Sequence, residues 1–489
     1  MSIRRHTLYN LTGAVLPITV TLVTVPLYLD LIGEERYGIL ALAWLLLGYF
    51  GLFDLGLSRA TAQRIATLRE GSDRERAQVF WTALGLNSLF GLLGGLALVP
   101  LGYLFFGQYF DLSDGLRAEA LAVVPWLAAA VPVATISAVL AGALQGRERF
   151  LALNVISVSG TVLFQVLPLA TAWLLGPDLA WLLPAALFGR LITFVALFSQ
   201  CRRHVPLGAP EGSRALLRPL FSFGGWVSVT ALANPLLDAA DRFLIGALAG
   251  AKAVAWYSVP HNLAYRAVVL PDSLMGALFP RLAAGDGGAE LERLTSEAFR
   301  ALVVVLTPVI IAGMLIMEPF LVWWLDAEFA AHGADVGHLI ALGFWSNGLA
   351  RVPFSRLQAR SRPDIPAKCH LAEVLPYLGV LVLAIHWFGI VGAAAAWLLR
   401  VTVDCALLLW FSGYRPAPRL LLVPVALLAV TAGAVLGLSL YSPLRWGAGG
   451  MALLLAAVWG WRTAPPAVRN LVAGWRPRAR RALKLGDAS

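Results

Sequence analysis

Ser58-Arg-Ala-Thr-Ala-Gln-Arg-Ile-Ala-Thr-Leu-Arg-Glu-Gly-Ser-Asp-Arg-Glu-Arg76 separates two apolar stretches, residues 37–57 and 78–106, and carries five arginines. The next polar gap, Gly107-Gln-Tyr-Phe-Asp-Leu-Ser-Asp-Gly-Leu-Arg117, carries one. This alternation runs the length of the chain. The apolar stretches are 8–31, 37–57, 78–106, 118–143, 150–175, 179–199, 219–247, 253–281, 298–325, 335–357, 367–388, 390–412, 419–441 and 444–461. Most have the roughly 20 residues that a helix needs to cross a bilayer. The last two are separated only by Ser442-Pro-Leu-Arg445, so twelve to fourteen spans are expected.

Basic loops stay on the cytoplasmic side. One set of gaps, with both ends of the chain, holds thirty Lys and Arg. The other holds Arg36, Arg117, Lys252 and Arg445. Both termini are therefore expected in the cytoplasm of a bacterial cell, with the protein in its inner membrane. Composition agrees: 59% of residues are hydrophobic, 13% are charged, and mean hydropathy is +0.75. A soluble chain carries about 25% charge. The net charge of +10 is dispersed over short loops and the tail, which excludes a nucleic-acid surface and suits anionic lipid headgroups.

Cys201, Cys369 and Cys405 imply neither a disulfide framework nor a metal site. No phosphate-binding glycine loop is visible, so no nucleotide cofactor is expected. The outer loops hardly exceed ten residues. They leave no room for the acidic outer-loop chemistry of a membrane polymerase, ligase or glycosyltransferase, so the chain is not expected to be an enzyme.

Charge at mid-bilayer depth is costly unless it meets a partner or a cavity. Arg190, Arg266 and Arg400 lie near the centres of the sixth, eighth and twelfth spans; Asp238, Asp241 and Asp404 are also deep. Asp404 stands four residues from Arg400, and Asp238 four from Arg242. Each couple reads either as a neutral pair on one helix face or as a functional group. Arg190 and Arg266 have no acidic residue three or four positions away, which suits an anion, and phosphate above all. Asn234-Pro235 predicts a kinked seventh helix carrying Asp238, Asp241 and Arg242. His261 is near enough to Arg266 to join an ion-coupling or gating group. Glu318 and Glu373 read as residues of the membrane interface.

Both halves begin with a glycine- and proline-bearing helix followed by a glycine and then a tyrosine: Gly33 with Tyr37, and Gly250 with Tyr257. This predicts a duplication. The expected organisation is a six-helix lobe over 1–199, a linker over 200–218, a second six-helix lobe over 219–412, two further spans over 413–461 and a basic cytoplasmic tail over 462–489.

Pro26-Leu-Tyr-Leu-Asp-Leu-Ile-Gly33, Tyr37-Gly38, Asp54-Leu-Gly-Leu57 and Arg59-Ala60 are similar to the N-terminal pattern of the polysaccharide (O-antigen-type) flippases. These belong to the multidrug, oligosaccharidyl-lipid and polysaccharide exporter superfamily. Leu144-Gln-Gly146 with Arg149-Phe150 and Asn154, and Asp241-Arg-Phe-Leu-Ile-Gly246 through Trp256-Tyr257 to Pro280, extend the resemblance over roughly 8–412. The resemblance implies two lobes around a central cavity lined by cations. It implies alternating access and a polyprenyl-pyrophosphate-linked oligosaccharide as substrate, for O-antigen, capsule or exopolysaccharide. Arg190, Arg266 and Arg400 are the candidate pyrophosphate ligands. Asp238, Asp241, Arg242, His261 and Asp404 are the candidates for ion coupling or gating, with Na+ or H+ as the ion. A monomer is expected, among membrane lipids and other polysaccharide-assembly proteins. The alternative is an ion-coupled drug or cation exporter of the same superfamily, with Asp238 and Asp241 in its favour.

Overall fold

The computed structural model describes residues 3–49, 54, 56–68, 72–205, 213, 217–284, 288–360, 362, 364–466 and 468–469. Side chains are described over the same ranges except 3–18, 49, 59, 67, 217–236, 238, 276, 277, 279–281, 283 and 284. The Asp238 side chain and the tail beyond residue 469 lie outside the described residues.

Among the described residues the chain is helical and contains no strand. The helices are α1 (Ile3–Tyr49), α2 (Leu57–Thr67), α3 (Asp73–Leu104), α4 (Asp114–Gly146), α5 (Phe150–Leu175), α6 (Leu179–His204), α7 (Leu217–Tyr265), α8 (Val269–Ala284), α9 (Ala289–Trp324), α10 (Ala327–Ala359), α11 (Asp364–Ser412), α12 (Pro418–Gly437) and α13 (Pro443–Thr463). Among the described residues, eight helices are long and apolar enough to cross a membrane. The 49 residues of α11 would reach about 74 Å if straight, over twice the hydrocarbon thickness. It is instead two spans joined at Gly389 (φ 59°, ψ −142°). α1 breaks in the same way at Gly33 (φ 78°, ψ 166°), and α7 at Gly250 (φ 85°, ψ 173°). These dihedrals lie in or beside a region open essentially to glycine alone. Among the described residues each of the fourteen apolar stretches lies mainly on helix, with two joined in α1 and two in α11.

Local capping accounts for several starts. The Ser72 hydroxyl accepts from the Glu75 N–H (3.2 Å) while the Glu75 carboxylate accepts from the Ser72 N–H (3.1 Å), a reciprocal box that opens α3. Asp178 caps α6 by accepting from Ala180 N–H (2.8 Å), and Asp326 caps α10 by accepting from Phe329 N–H (2.7 Å).

The chain forms two compact units, Met1–Ser258 and Val259–Ser489. In the first, α4 packs on α2, α3 and α6, while α5 lies against α6 and α1. Ile65, Phe80, Leu140, Leu144, Leu197 and the thiol of Cys201 form a buried cluster in this unit. In the second, α10 packs between α9 and α11, and the α12–α13 hairpin docks on α9. A Cβ on Gly449 would meet Leu315 Cδ2 at 2.2 Å, so the bare glycine is what lets α13 approach α9.

The four basic residues of the sparse set each have a carboxylate. Arg36 meets Glu119 through two hydrogen bonds (2.5 and 2.8 Å). Lys252 meets Glu34 at 3.0 Å and Arg117 meets Asp114 at 3.8 Å. Arg445, 1% exposed, pairs with Glu318 between α13 and α9. Glu318 therefore has a specific partner beyond the interface role expected of it.

Candidate functional site

α6 carries Arg190 and α5 carries Phe164. The Arg190 guanidinium lies 4.8 Å from the centre of the Phe164 ring, a cation–π arrangement. Its Nη2 donates to the Leu47 carbonyl of α1 at 3.0 Å. That carbonyl is in the last turn of α1, where helix acceptors lack an intrahelical donor. Arg190 Nε is buried with no hydrogen-bond partner among the described residues. The side chain opens on a cavity of about 270 Å³ walled by α4, α5 and α6. Its polar lining is Ser137, Ser157, Thr161, Thr193 and Arg190, with no carboxylate among the described lining residues.

Three of those hydroxyls, on Ser137, Thr161 and Thr193, donate within their own helices. Ser137 donates to the Val133 carbonyl (2.6 Å), Thr161 to Ser157 (3.0 Å) and Thr193 to Gly189 (3.0 Å). Each proton goes back into its own helix, so the oxygens are left as acceptors. The cavity therefore offers one strong cationic donor beside a row of neutral acceptors. That suits a phosphate joined to a hydroxyl-bearing sugar.

The two limbs of α11 make a related arrangement in the second unit. The Arg400 guanidinium lies 5.3 Å from the Tyr377 ring centre. Beside it Glu373 is buried close to Asp404, and Asp404 Oδ1 is 3.3 Å from His370 Nε2. Phe354 of α10 stacks on His370 with centroids 6.4 Å apart and planes 10° apart. Both Glu373 carboxylate oxygens are buried without a hydrogen-bond donor among the described residues. Asp404, read from sequence as a partner for Arg400 or as a functional group, faces His370 across the Gly389 turn. Glu373, read from sequence as a residue of the membrane interface, is buried in this cluster. The turn folds its limb back against Asp404, which position along the chain alone does not reveal.

The two arrangements share a register. α5 and α6 meet at Gly176 (φ 109°, ψ 176°), which corresponds to Gly389 between the limbs of α11. Phe164 and Tyr377 each stand twelve residues before that glycine. Gly160 and Glu373 stand sixteen before it, and Ser157 and His370 nineteen before it. Arg190 and Arg400 follow the glycine by fourteen and eleven residues, one helical turn apart. In the first unit a Cβ on Gly160 would meet Thr193 Oγ1 at 2.7 Å; in the second, Glu373 meets Asp404.

The remaining candidates fall elsewhere. Arg266 opens a 3₁₀ turn, Arg266–Val268, that breaks the eighth span between α7 and α8, and its side chain is exposed. His261 is buried edge-on against Phe344 and Trp397, at 5.6 Å from each. Asp241 is fully buried; its Oδ2 accepts from the Tyr257 hydroxyl at 2.6 Å and its Oδ1 from the Arg242 N–H at 2.7 Å. Arg242 lies 6.0 Å from the same ring. This group clasps α7 across the Gly250 break. Phe164, Tyr377, His370 and Glu373 were not among the sequence candidates. Their signal is the common spacing from Gly176 and Gly389. Among the described residues no group of His, Cys, Asp and Glu is arranged to hold a metal, and all three cysteines are free and buried.

Residues 3–285 match the family model described as "Polysaccharide biosynthesis protein". A relative named "Putative O-antigen transporter", from Shigella flexneri, is 28% identical over 415 residues, covering 84% of this chain and 97% of that one. Among solved structures, "Lipid II flippase MurJ, inward closed conformation" aligns with a TM-score of 0.70 at 12% identity, over 93% of this chain and 98% of that one. An inward-facing multidrug resistance MATE family transporter of the MOP superfamily aligns with a TM-score of 0.69 at 15% identity, over 82% and 97%. At these identities the two structures establish a common fold.

Proposed function

The chain belongs to the polysaccharide biosynthesis protein family, and from that premise we propose that it flips a polyprenyl-pyrophosphate-linked oligosaccharide from the inner to the outer leaflet of a bacterial inner membrane. It is a multi-pass membrane transporter and not an enzyme. The observation that carries the proposal is the Arg190 cavity, a permanent cation facing neutral hydroxyl acceptors. The guanidinium takes a phosphate oxygen through its free donor edge, which a point charge does less well. The first sugar lays its hydroxyl protons on the Ser137, Thr161 and Thr193 oxygens. The prenyl chain stays in the bilayer. Arg266, exposed at a helix break, supplies a second cation on the route, and Arg400 is the least free of the three because it shares its surroundings with Glu373.

Movement follows the alternating access of duplicated transporters, with the lobes of 1–199 and 219–412 rocking and the Gly33 and Gly250 breaks absorbing the bend. Both termini stay cytoplasmic, and one chain is the working unit among lipids and other assembly proteins. The inside-negative potential assists, since each negative charge moved outward gains about 2.3 kcal/mol per 100 mV.

The test is translocation of a fluorescent polyprenyl-pyrophosphate oligosaccharide in proteoliposomes. Arg190→Ala removes charge-assisted hydrogen bonds worth about 2–3 kcal/mol, a fall of roughly 30- to 150-fold in flipping. Arg190→Lys is expected between the two. Wild-type rates in Arg190→Ala would remove the site. The acid-bearing cluster of α11 favours the second reading, a cation exporter; movement of an organic cation without movement of the lipid would establish that instead.

A further inference from the structure

We propose that Glu373 and Asp404, with His370, form the proton-binding centre that couples transport to a pH gradient. The inference rests on the flippase reading for its cargo, but the centre itself stands on geometry. Two carboxylates from the two limbs of α11 are buried close enough to share a hydrogen bond. Neither carries a donor when ionised, and both Glu373 oxygens are buried with no donor among the described residues. Glu373 is 8% exposed. A buried carboxylate with an empty acceptor edge facing a second carboxylate is completed by one proton placed between them.

Charge balance gives the same number. The charged groups acting on Glu373 are Asp404, His370 and Arg400. With Arg400 charged and both carboxylates ionised, the cluster carries one net negative charge before a proton is added, whether that proton is shared by the carboxylates or held on His370. One bound proton makes it neutral. The rest of the surround does not compete: Cys369 and Cys405 flank Asp404, Tyr377 lies under Arg400, and from α10 the contact on His370 is the apolar ring of Phe354. His370, 3.3 Å from Asp404, is the relay on the α10 side. Proton binding and release change the charge on a pair that bridges the Gly389 turn. That links protonation to the angle between the limbs.

The corresponding positions of the first unit argue that this chemistry is specific to the second. The register places Gly160 and Ser157 where Glu373 and His370 stand, beside Thr193, and none of these carries a titratable carboxylate. One helix pair keeps a fixed cation; the other holds an exchangeable proton.

Two measurements test this. Infrared difference spectra of the full-length protein at neutral pH are expected to show a protonated-carboxyl stretch that is lost in Glu373→Gln and in Asp404→Asn. In proteoliposomes, one proton exchanged per lipid lets a one-unit pH gradient support about tenfold accumulation of lipid-linked glycan in one leaflet. Glu373→Gln, which keeps shape without a titratable group, is expected to lose that accumulation and still equilibrate the lipid downhill. No carboxyl band, or full gradient-driven accumulation by folded Glu373→Gln, would overturn the centre. If wild-type protein moves no lipid while the band is present and sensitive to both variants, the flippase reading fails and the proton centre stands.

Discussion

The α5–α6 pair and the two limbs of α11 are built to one register and furnished in opposite ways. Each sets an arginine over an aromatic ring twelve residues before a positive-φ glycine. Around Arg190 the neighbours are hydroxyls and a glycine; around Arg400 they are Glu373, Asp404 and His370. The shared part is mechanical, because a guanidinium stacked on a ring fills its site without needing a counter-ion. The differing part is electrostatic. A cation among hydroxyls keeps its charge and favours an anion at any physiological pH. A cation beside two carboxylates has its field offset, and the offset varies with their protonation. On the proposed reading, a shared scaffold serves two tasks, anion binding in one helix pair and proton binding in the other.

The largest test of that division is to make the first site resemble the second. Thr193→Asp puts a carboxylate beside Arg190 on the wall where Gly160 leaves it room to face the cavity. It is expected to lower flipping of a pyrophosphate lipid by about tenfold or more, since one opposing charge at close range costs over 1 kcal/mol. The rate should recover partly on acidification as the new carboxyl protonates, measured as flipping against pH beside the wild type. A pH-independent loss would mean that only the volume mattered.

Next come the turns. A Cβ meets nothing within 4 Å at either Gly176 or Gly389. Gly176→Ala and Gly389→Ala should each cost about 1–2 kcal/mol from backbone conformation alone, read as thermal unfolding in detergent. Matched losses support equivalent turns; a loss at one position only breaks the comparison. The smallest effect is expected from the rings. Phe164→Leu and Tyr377→Leu should each lose about 0.5–1 kcal/mol of cation–π energy, in binding affinity at the first site and in stability at the second.

Much of this was legible in the sequence. The alternation of apolar spans with arginine-rich gaps marks the long helices, because the bilayer imposes both length and loop charge, but not α2, which forms inside the gap read from 58 to 76. Gly33 and Gly250 announce the two breaks through the tyrosines that follow them. Arg190 and Arg400 stand out by depth alone. The correspondence of the two helix pairs does not, because it is a register and not an identity: Phe164 answers to Tyr377, and Gly160 to Glu373. Glu373 looks like an interface residue when counted from the end of its span. Only the fold of α11 brings it to Asp404. Arg445 looks like a loop cation until the α12–α13 hairpin closes on α9.

That last contact bears on how the protein is made. Arg445 is buried against Glu318, which precedes it by 127 residues. At about 5–20 residues per second the ribosome takes roughly 6–25 s to deliver the arginine after the glutamate. Through that interval α9 waits with an unmatched carboxylate, and α13 then arrives with a cation that has no stable seat elsewhere. The final hairpin therefore docks against a charge already installed on α9.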